Sequence, residues 1–378
     1  MIGKFKIKHY LNYFVIGIFT LVLAVITFTG GRLDSSTLFL LEKMAISITL
    51  AVSLSLVVGF LGELSLGHAG FMCVGAYLSG KVAALLVPHL GNGILTFIIS
   101  LLVGAVVAAI CGIIIGIPAL RLRGDYLAIV TLAFGEIVKS IFQNTSTESF
   151  GGAIGLDTPR YDKKYLFIIA FIIVLITLAV VQNFIRSKHG RAVTSIRDNE
   201  IAAKATGINV TKYKLLAFTL SATFAGIAGV LYSYSNYTVQ SAKFGYNYSI
   251  EILVMVVLGG MGSINGTIIA AALITFLNTK LATILTGDLA VLQNLLYALI
   301  LIVIVVYNNA PALKSFRDRY NLSTLIRKVI RGRHDPSNIR DDAAKWDVVP
   351  TKIEMNEILS IDVTNKQEKG GKGGEDNG

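Results

Sequence analysis

Charge is scarce in this chain: charged residues make up 15% of its 378 positions, against 54% hydrophobic. Soluble domains carry roughly 25% charged residues, so an ordinary water-soluble fold of this length is excluded. Cysteine is nearly absent. The two present, Cys73 and Cys111, lie in apolar runs without ligand spacing, which leaves no disulfide framework and reads as small buried hydrophobes. The five histidines (His9, His68, His89, His189 and His334) are scattered, again without metal spacing. No Ser/His/Asp set, metal cluster or paired acid and base comes together, so the sequence predicts no enzyme, no metal and no cofactor.

What the chain has instead is apolar length, with a mean hydropathy of +0.67. Runs of about 20 residues, enough to cross the hydrocarbon core as helices, recur along it. The expected spans are 10–29, 38–61, 68–87, 94–118, 125–143, 165–185, 215–236, 250–262, 264–286 and 288–307. The run 250–262 is short for a crossing and reads equally as a re-entrant half-helix. An all-α polytopic membrane protein of about 8–10 transmembrane helices is therefore expected. Lys4, Lys6 and Lys8 precede the first run as they would in a signal peptide. The run is long for that role and no cleavage site clearly follows it, so a retained first helix is expected.

The net charge of +11 sits in loops and tail. That is the asymmetry of membrane insertion and not a face for nucleic-acid phosphates. Ten crossings put both termini on one side. That side then holds Lys4, Lys6, Lys8, Arg121, Arg123, the loop 186–214 with its seven basic residues, and the basic run 314–333. The positive-inside rule makes the termini cytoplasmic. A transmembrane domain over 1–310, containing the cytoplasmic loop 186–214, is followed by a tail over 311–378. The tail begins basic, suited to anionic lipid at the inner leaflet, and from 334 turns acidic, with 10 Asp/Glu against 6 Lys/Arg. It ends in Lys369-Gly-Gly-Lys-Gly-Gly-Glu375, the composition of a disordered, solvated end.

The loop 186–214 has Ala and Glu for helix and a Gly to end it, flanked by basic residues. It reads as a docking element. Elsewhere, Gly and Ser crowd the stretch Ser53 to Tyr77, which includes Glu63, Ser65, Gly67, His68 and Gly70. Such density at membrane depth marks close backbone approach or a broken helix lining a solute path. A tight cytoplasmic hairpin with Glu63 and His68 solvated fits the pattern as well. A second interruption, Gly259-Gly260-Met261-Gly262-Ser263, repeats the theme in the other half, and paired interruptions point to a substrate path. Gly112 with Gly116, and Ser221, Ala225 with Gly229, have helix-packing spacing. Glu136 and Lys139, three apart on one face, are either path residues or a neutralising pair, and Lys280 is a further intramembrane charge. Gly75 to Lys81 mimics a phosphate loop, but Val82 stands where Ser or Thr is needed and no strand precedes it, so no nucleotide is expected.

Taken together, three stretches resemble the LivM-type inner-membrane permease subunits of branched-chain amino-acid ABC importers. They are Gly62 to Tyr77, Ala119 to Ile137 (with Thr131 and Glu136), and Gly151-Gly152-Ala-Ile-Gly155-Leu156. Gly190-Arg191-Ala192 through Gly207-Ile208 and Val257 to Gly266 continue the match, which covers roughly 45–307. The resemblance implies an ABC-importer permease fold in the cytoplasmic membrane. It also implies a second, unlike permease subunit, two cytoplasmic ATPase subunits and an extracytoplasmic amino-acid-binding protein. The loop would then hold the coupling helix: Glu200-x-Ala202-Ala203-x-x-x-Gly207 resembles the Glu-Ala-Ala…Gly signature of ABC permeases, with one residue inserted after the Glu, and Arg197 and Asp198 just before it complete the coupling candidates. The path candidates are Glu63, Ser65, Gly67, His68, Gly70, Thr131, Glu136, Gly259, Gly260 and Gly262. A urea or short-amide permease shares much of this pattern. A stand-alone secondary transporter would leave the docking loop unexplained.

Overall fold

In hydrocarbon, backbone N–H and C=O groups must find partners within their own segment, and helix is the local structure that provides them. The computed structural model describes residues 11–28 and 34–284, apart from 123, 160 and 162, with isolated positions between 295 and 306. The helices in order are α1 (Leu11–Phe28), α2 (Ser35–Ser55), α3 (His68–Leu90), α4 (Ile94–Ala119), α5 (Asp125–Asn144), the single turn α6 (Thr147–Phe150) and α7 (Lys163–Arg186). After these come α8 (Lys188–Asp198), α9 (Glu200–Ala205), α10 (Val210–Ser235), α11 (Tyr246–Gly259) and α12 (Ile264–Ile284). A π-helical segment, Leu56–Leu61, prolongs α2 without a break. Among the described residues the apolar runs are helical, as expected. Among the described residues, six helices are long and apolar enough to cross a membrane, α2 with its π extension, α3, α4, α7, α10 and α12. The expected span 288–307, the N-terminal lysines and the tail from 311 lie outside the described residues.

α2 and α10 form the centre. α10 packs on α2, α3 and α4, while α2 also packs on α7, α11 and α12. α2 is the most enclosed of the six and α4 the least. The outer face of α4 shows Ile98, Leu102, Val106, Ile110, Ile113 and Ile117. In a membrane protein such a face meets lipid. Small residues set the spacing inside. A Cβ on Gly226 of α10 would meet Ala108 and the carbonyl of Gly104 on α4, and a Cβ on Gly75 of α3 would lie 2.6 Å from the Gly226 Cα. Three backbones therefore meet at Gly226, which is where van der Waals packing of helices in lipid is strongest. The phosphate-loop mimic Gly75 to Lys81 is continuous α3 helix.

At one end of the bundle, β1 (Leu156–Asp157) pairs antiparallel with β2 (Thr238–Val239). Thr158 Oγ1 donates to the Ser233 carbonyl at 2.7 Å, which ties this loop to the last turn of α10. At the opposite end, α8 and α9 join α7 to α10. α10 starts at Val210, ahead of the expected 215, because Asn209 caps it by accepting from the Lys212 N–H at 3.1 Å.

Overpacking at the three-helix crossing gives a direct test. Gly226→Val should cost about 3 kcal/mol and reduce the monodisperse yield in detergent. Gly17→Val on α1, where a Cβ meets nothing within 4 Å, should leave yield and melting temperature unchanged. Size-exclusion profiles and thermal melts of the two variants check this.

Candidate functional site

The end of the bundle that carries α8 and α9 is where the charged residues converge. Asn199 ends α8 and starts α9, its Oδ1 accepting from the Ala202 N–H at 3.0 Å, so the docking loop is two short helices broken at Asn199. α9 closes with the Gly207 N–H donating to the Lys204 carbonyl at 3.0 Å. Gly207 has φ +83°, and this left-handed terminus requires a glycine.

Lys214 lies in the first turn of α10 with its side chain only 5% exposed. A buried ammonium is costly unless paired. Its Nζ sits 2.5 Å from Glu63 Oε1 and 3.2 Å from Glu200 Oε2. Lys204 adds an outer contact to Glu200 at 3.6 Å. One ammonium thus joins the connection after α2, the first residue of α9 and the start of α10.

Arg197 makes the second tie. Its guanidinium bonds Asp198 Oδ1 at 2.9 Å through Nη2, and its Nη1 donates to the Gly59 carbonyl at 3.0 Å. Gly59 lies in the π segment, whose widened turn ends at Gly62 with φ +79°. π turns leave carbonyls off the regular ladder, and here one of them takes the arginine. A Cβ on Gly62 would stand 2.6 Å from Arg197 Cγ, so only glycine lets the arginine lie across this turn. A Cβ on Gly59 would stand 2.6 Å from the Gly262 nitrogen. The two glycine-rich interruptions therefore touch each other, and Arg197 reaches both.

Of the coupling candidates, Arg197, Asp198 and Glu200 gather in these ties, Ala203 is buried, and Ala202 is exposed. Glu200 points to Lys214, which leaves the outer face of α9 to Ala202, Ala205 and Ile201, the last 78% exposed. Among the path candidates, Glu63 joins the ion cluster, and Gly260 (φ +90°) and Gly262 (φ +83°) shape the α11–α12 turn. Gly259 packs its backbone on Gly266 and Thr267 of α12. The others line the start of α3. His68 is buried, with Nε2 2.7 Å from Ser53 Oγ. Thr131 Oγ1 accepts from the Leu66 N–H at 3.0 Å. Gly67 presses on the Thr131 carbonyl, and Gly70 on Gly135. Ser65 Oγ is buried without a hydrogen-bond partner among the described residues. Glu136 pairs with Lys139 at 3.0 Å and accepts from the Tyr246 N–H at 2.7 Å, which fixes α5 to the start of α11. Among the described residues no group of His, Cys, Asp and Glu is placed to hold a metal ion.

Lys214 was the residue that sequence reasoning missed, since it counted only as one of the loop's basic residues. Its partner Glu63 lies 151 residues away, and no local spacing announces the pair. Glu42, Lys43 and Glu251 also passed unnoticed inside apolar windows.

A family model described as the branched-chain amino acid transport system / permease component matches residues 36–305. The chain belongs to this family. It is 37% identical over 276 residues to the high-affinity branched-chain amino acid transport system permease protein LivM of Salmonella typhimurium, and equally to that of Escherichia coli K12. Those alignments take in 65% of this chain and 62% of each relative, so the chain spans about 62% of the length of these relatives. The ribose import permease protein RbsC of Escherichia coli K12 is 26% identical over 317 residues, 78% of this chain and 92% of that one. No solved structure matches the chain significantly. Membership and the six apolar helices make it a multi-pass protein of the cytoplasmic membrane, with transport permeases and not enzymes as relatives.

The ion cluster makes a signed prediction. Lys214→Met leaves two carboxylates facing each other and should cost about 3 kcal/mol, read as a lower melting temperature. Adding Glu63→Gln and Glu200→Gln to Lys214→Met should recover most of that loss. A Lys214→Met protein as stable as the parent would show that the ammonium holds nothing together.

Proposed function

We propose that the chain is the translocating subunit of an ABC importer carrying leucine, isoleucine and valine across the cytoplasmic membrane. Both termini and α8–α9 face the cytoplasm, where one of the importer's two ATPase subunits docks on α9. A second, unlike permease subunit completes the path, and an extracytoplasmic binding protein delivers the amino acid. The observation that carries this reading is the pair of ties made by Lys214 and Arg197. They fasten α8–α9 to α2, α10 and the α11–α12 turn, so a push on α9 moves helix ends from both halves of the bundle together. The outer face of α9, with Ile201 exposed beside Ala202 and Ala205, suits an apolar groove on an ATPase. Glu200, held inward, serves as an anchor for the element.

The solute path, in this reading, runs beside the two interruptions, with Glu63, Ser65, Gly67, His68, Gly70, Thr131, Glu136, Gly259, Gly260 and Gly262 along or behind it. A sugar as cargo is favoured by one observation, the ribose permease relative that aligns over 92% of its own length. A urea or short-amide cargo is the other alternative.

Uptake of labelled leucine, by cells expressing the chain with its co-encoded partners, tests the reading. Uptake should stop on ATP depletion and should be suppressed by isoleucine and valine but not by urea or ribose. ATP-dependent ribose or urea uptake in place of leucine would change the cargo and keep the mechanism. Ile201→Asp should cut leucine uptake at least about tenfold through loss of ATPase docking, while membrane insertion is unaffected. Undiminished uptake by that variant would remove α9 as the docking element.

A further inference from the structure

At the end of the bundle opposite α8–α9, a cavity of about 370 Å³ opens between α2, the end of α10, α11 and the last turns of α12. Its volume lies in the range of small-molecule sites. Three charged side chains line it: Lys43 of α2, Lys243 of the turn before α11, and Glu251 of α11. Two of them, Lys43 and Glu251, belong to largely apolar helices. Charges at membrane depth are costly, and they persist where a polar cargo or a proton must pass.

Two of the three are held in place by specific contacts. Asn278 of α12 donates from Nδ2 to Glu251 Oε1 at 3.0 Å, which fixes the carboxylate at the wall. The Lys43 ammonium lies 4.6 Å from the centre of the Phe39 ring, a cation–π contact that steadies it near the cavity. Beside these charged groups, Ile46 and Phe244 supply an apolar wall. Fixed positive and negative groups, a net charge of one surplus cation, and an apolar wall describe the complement of a zwitterion with an aliphatic side chain.

We propose that this cavity is a transient binding site for the transported α-amino acid within the permease itself. Lys43 and Lys243 receive the carboxylate, Glu251 receives the ammonium, and Ile46 with Phe244 takes the branched side chain. The assignment rests on the import reading above and deepens it: the chain recognises the head group common to its cargo, leaving the choice among side chains to the binding protein. Because the cavity lies at the end away from the ATPase-docking element, it is the first stop after delivery. A merely neutralising role for Lys43 and Glu251 would show no preference among ligands.

The test uses the importer complex purified through a tag on this chain, in nanodiscs and without binding protein. Ligand-observed saturation-transfer NMR is recorded with leucine, 4-methylpentanoate (carboxylate without ammonium), 3-methylbutylamine (ammonium without carboxylate) and ribose. The parent should give transfer from leucine and weaker transfer from each half-ligand. Glu251→Gln should weaken leucine and 3-methylbutylamine about tenfold, the loss of one charge-assisted hydrogen bond, and spare 4-methylpentanoate. Lys43→Met should do the reverse for the two half-ligands. Glu251→Asp and Lys43→Arg should restore part of the leucine signal, which separates recognition from misfolding. Equal signals from parent and variants, or transfer from ribose instead of leucine, would overturn the site. Leucine import by the same complex, reconstituted in proteoliposomes with ATP and the binding protein, distinguishes the two readings. Import that is intact in Lys43→Met and Glu251→Gln overturns the site alone. A parent that binds leucine with this selectivity but imports none keeps the site and overturns the import reading.

Discussion

A single buried ammonium organises the end of the bundle that carries α8 and α9. Lys214 is fixed at the first turn of α10 and lies within bonding distance of Glu63 and Glu200. Without it two carboxylates would face each other in a partly dry setting. Without them the ammonium would be stranded. The three therefore hold as a unit, and that unit spans the α2–α3 connection, α9 and α10. A mechanical element needs this property. Two helices as short as α8 and α9 have little rigidity of their own, since most helix stability comes from tertiary packing. Anchored at Lys214 and Arg197, they move only with the long helices behind them.

The irregular backbone beside this cluster follows from the same logic. A π turn and a glycine-rich helix break expose carbonyls that lipid cannot satisfy. Here the break in each half is placed against the other, and the Arg197 guanidinium covers the Gly59 carbonyl. The arginine is both the donor that makes the irregularity tolerable and the contact by which α8 senses it. Weakening that bond leaves the turn without its partner. The interruptions are thus better described as joints attached to the docking element than as gaps in two helices.

Much of this architecture was legible in the sequence because hydrophobic length is a local signal. The apolar runs located α2, α3, α4, α5, α7 and α12 with ends displaced by a few residues at most, and Gly207 correctly marked the end of α9. α10 was placed late because Thr211, Lys212 and Lys214 look like loop, whereas the Asn209 cap and tertiary pairing make them helix. The break at Asn199 within the docking loop was hidden for a similar reason, since Asn favours a cap only once neighbouring elements fix the direction of the chain. Charges inside spans were the weakest signal of all. Glu136 and Lys139 announced themselves at helical spacing, but Glu42, Lys43 and Glu251 are isolated in apolar windows. The two carboxylates find partners on other helices: Ser235 donates to Glu42 at 2.5 Å, and Asn278 donates to Glu251.

Those long-range pairs also set how the two ends of the molecule relate. Lys43 and Gly59 are both on α2 and its π extension, about 24 Å apart at helical rise. Lys214 and Asn236 bracket α10 in the same way, one in the ion cluster and the other lining the polar cavity. α11 and α12 contribute Glu251 and Asn278 to the cavity and their connecting turn to the Arg197 contact. Every helix that lines the cavity therefore also reaches the docking element. Packed helices shift as bodies because their interiors resist continuous deformation. On the import reading proposed above, a displacement at α9 that tilts α2 and α11 unequally would alter the distance between Lys43 and Glu251, and a site that grips both ends of a zwitterion is sensitive to that distance.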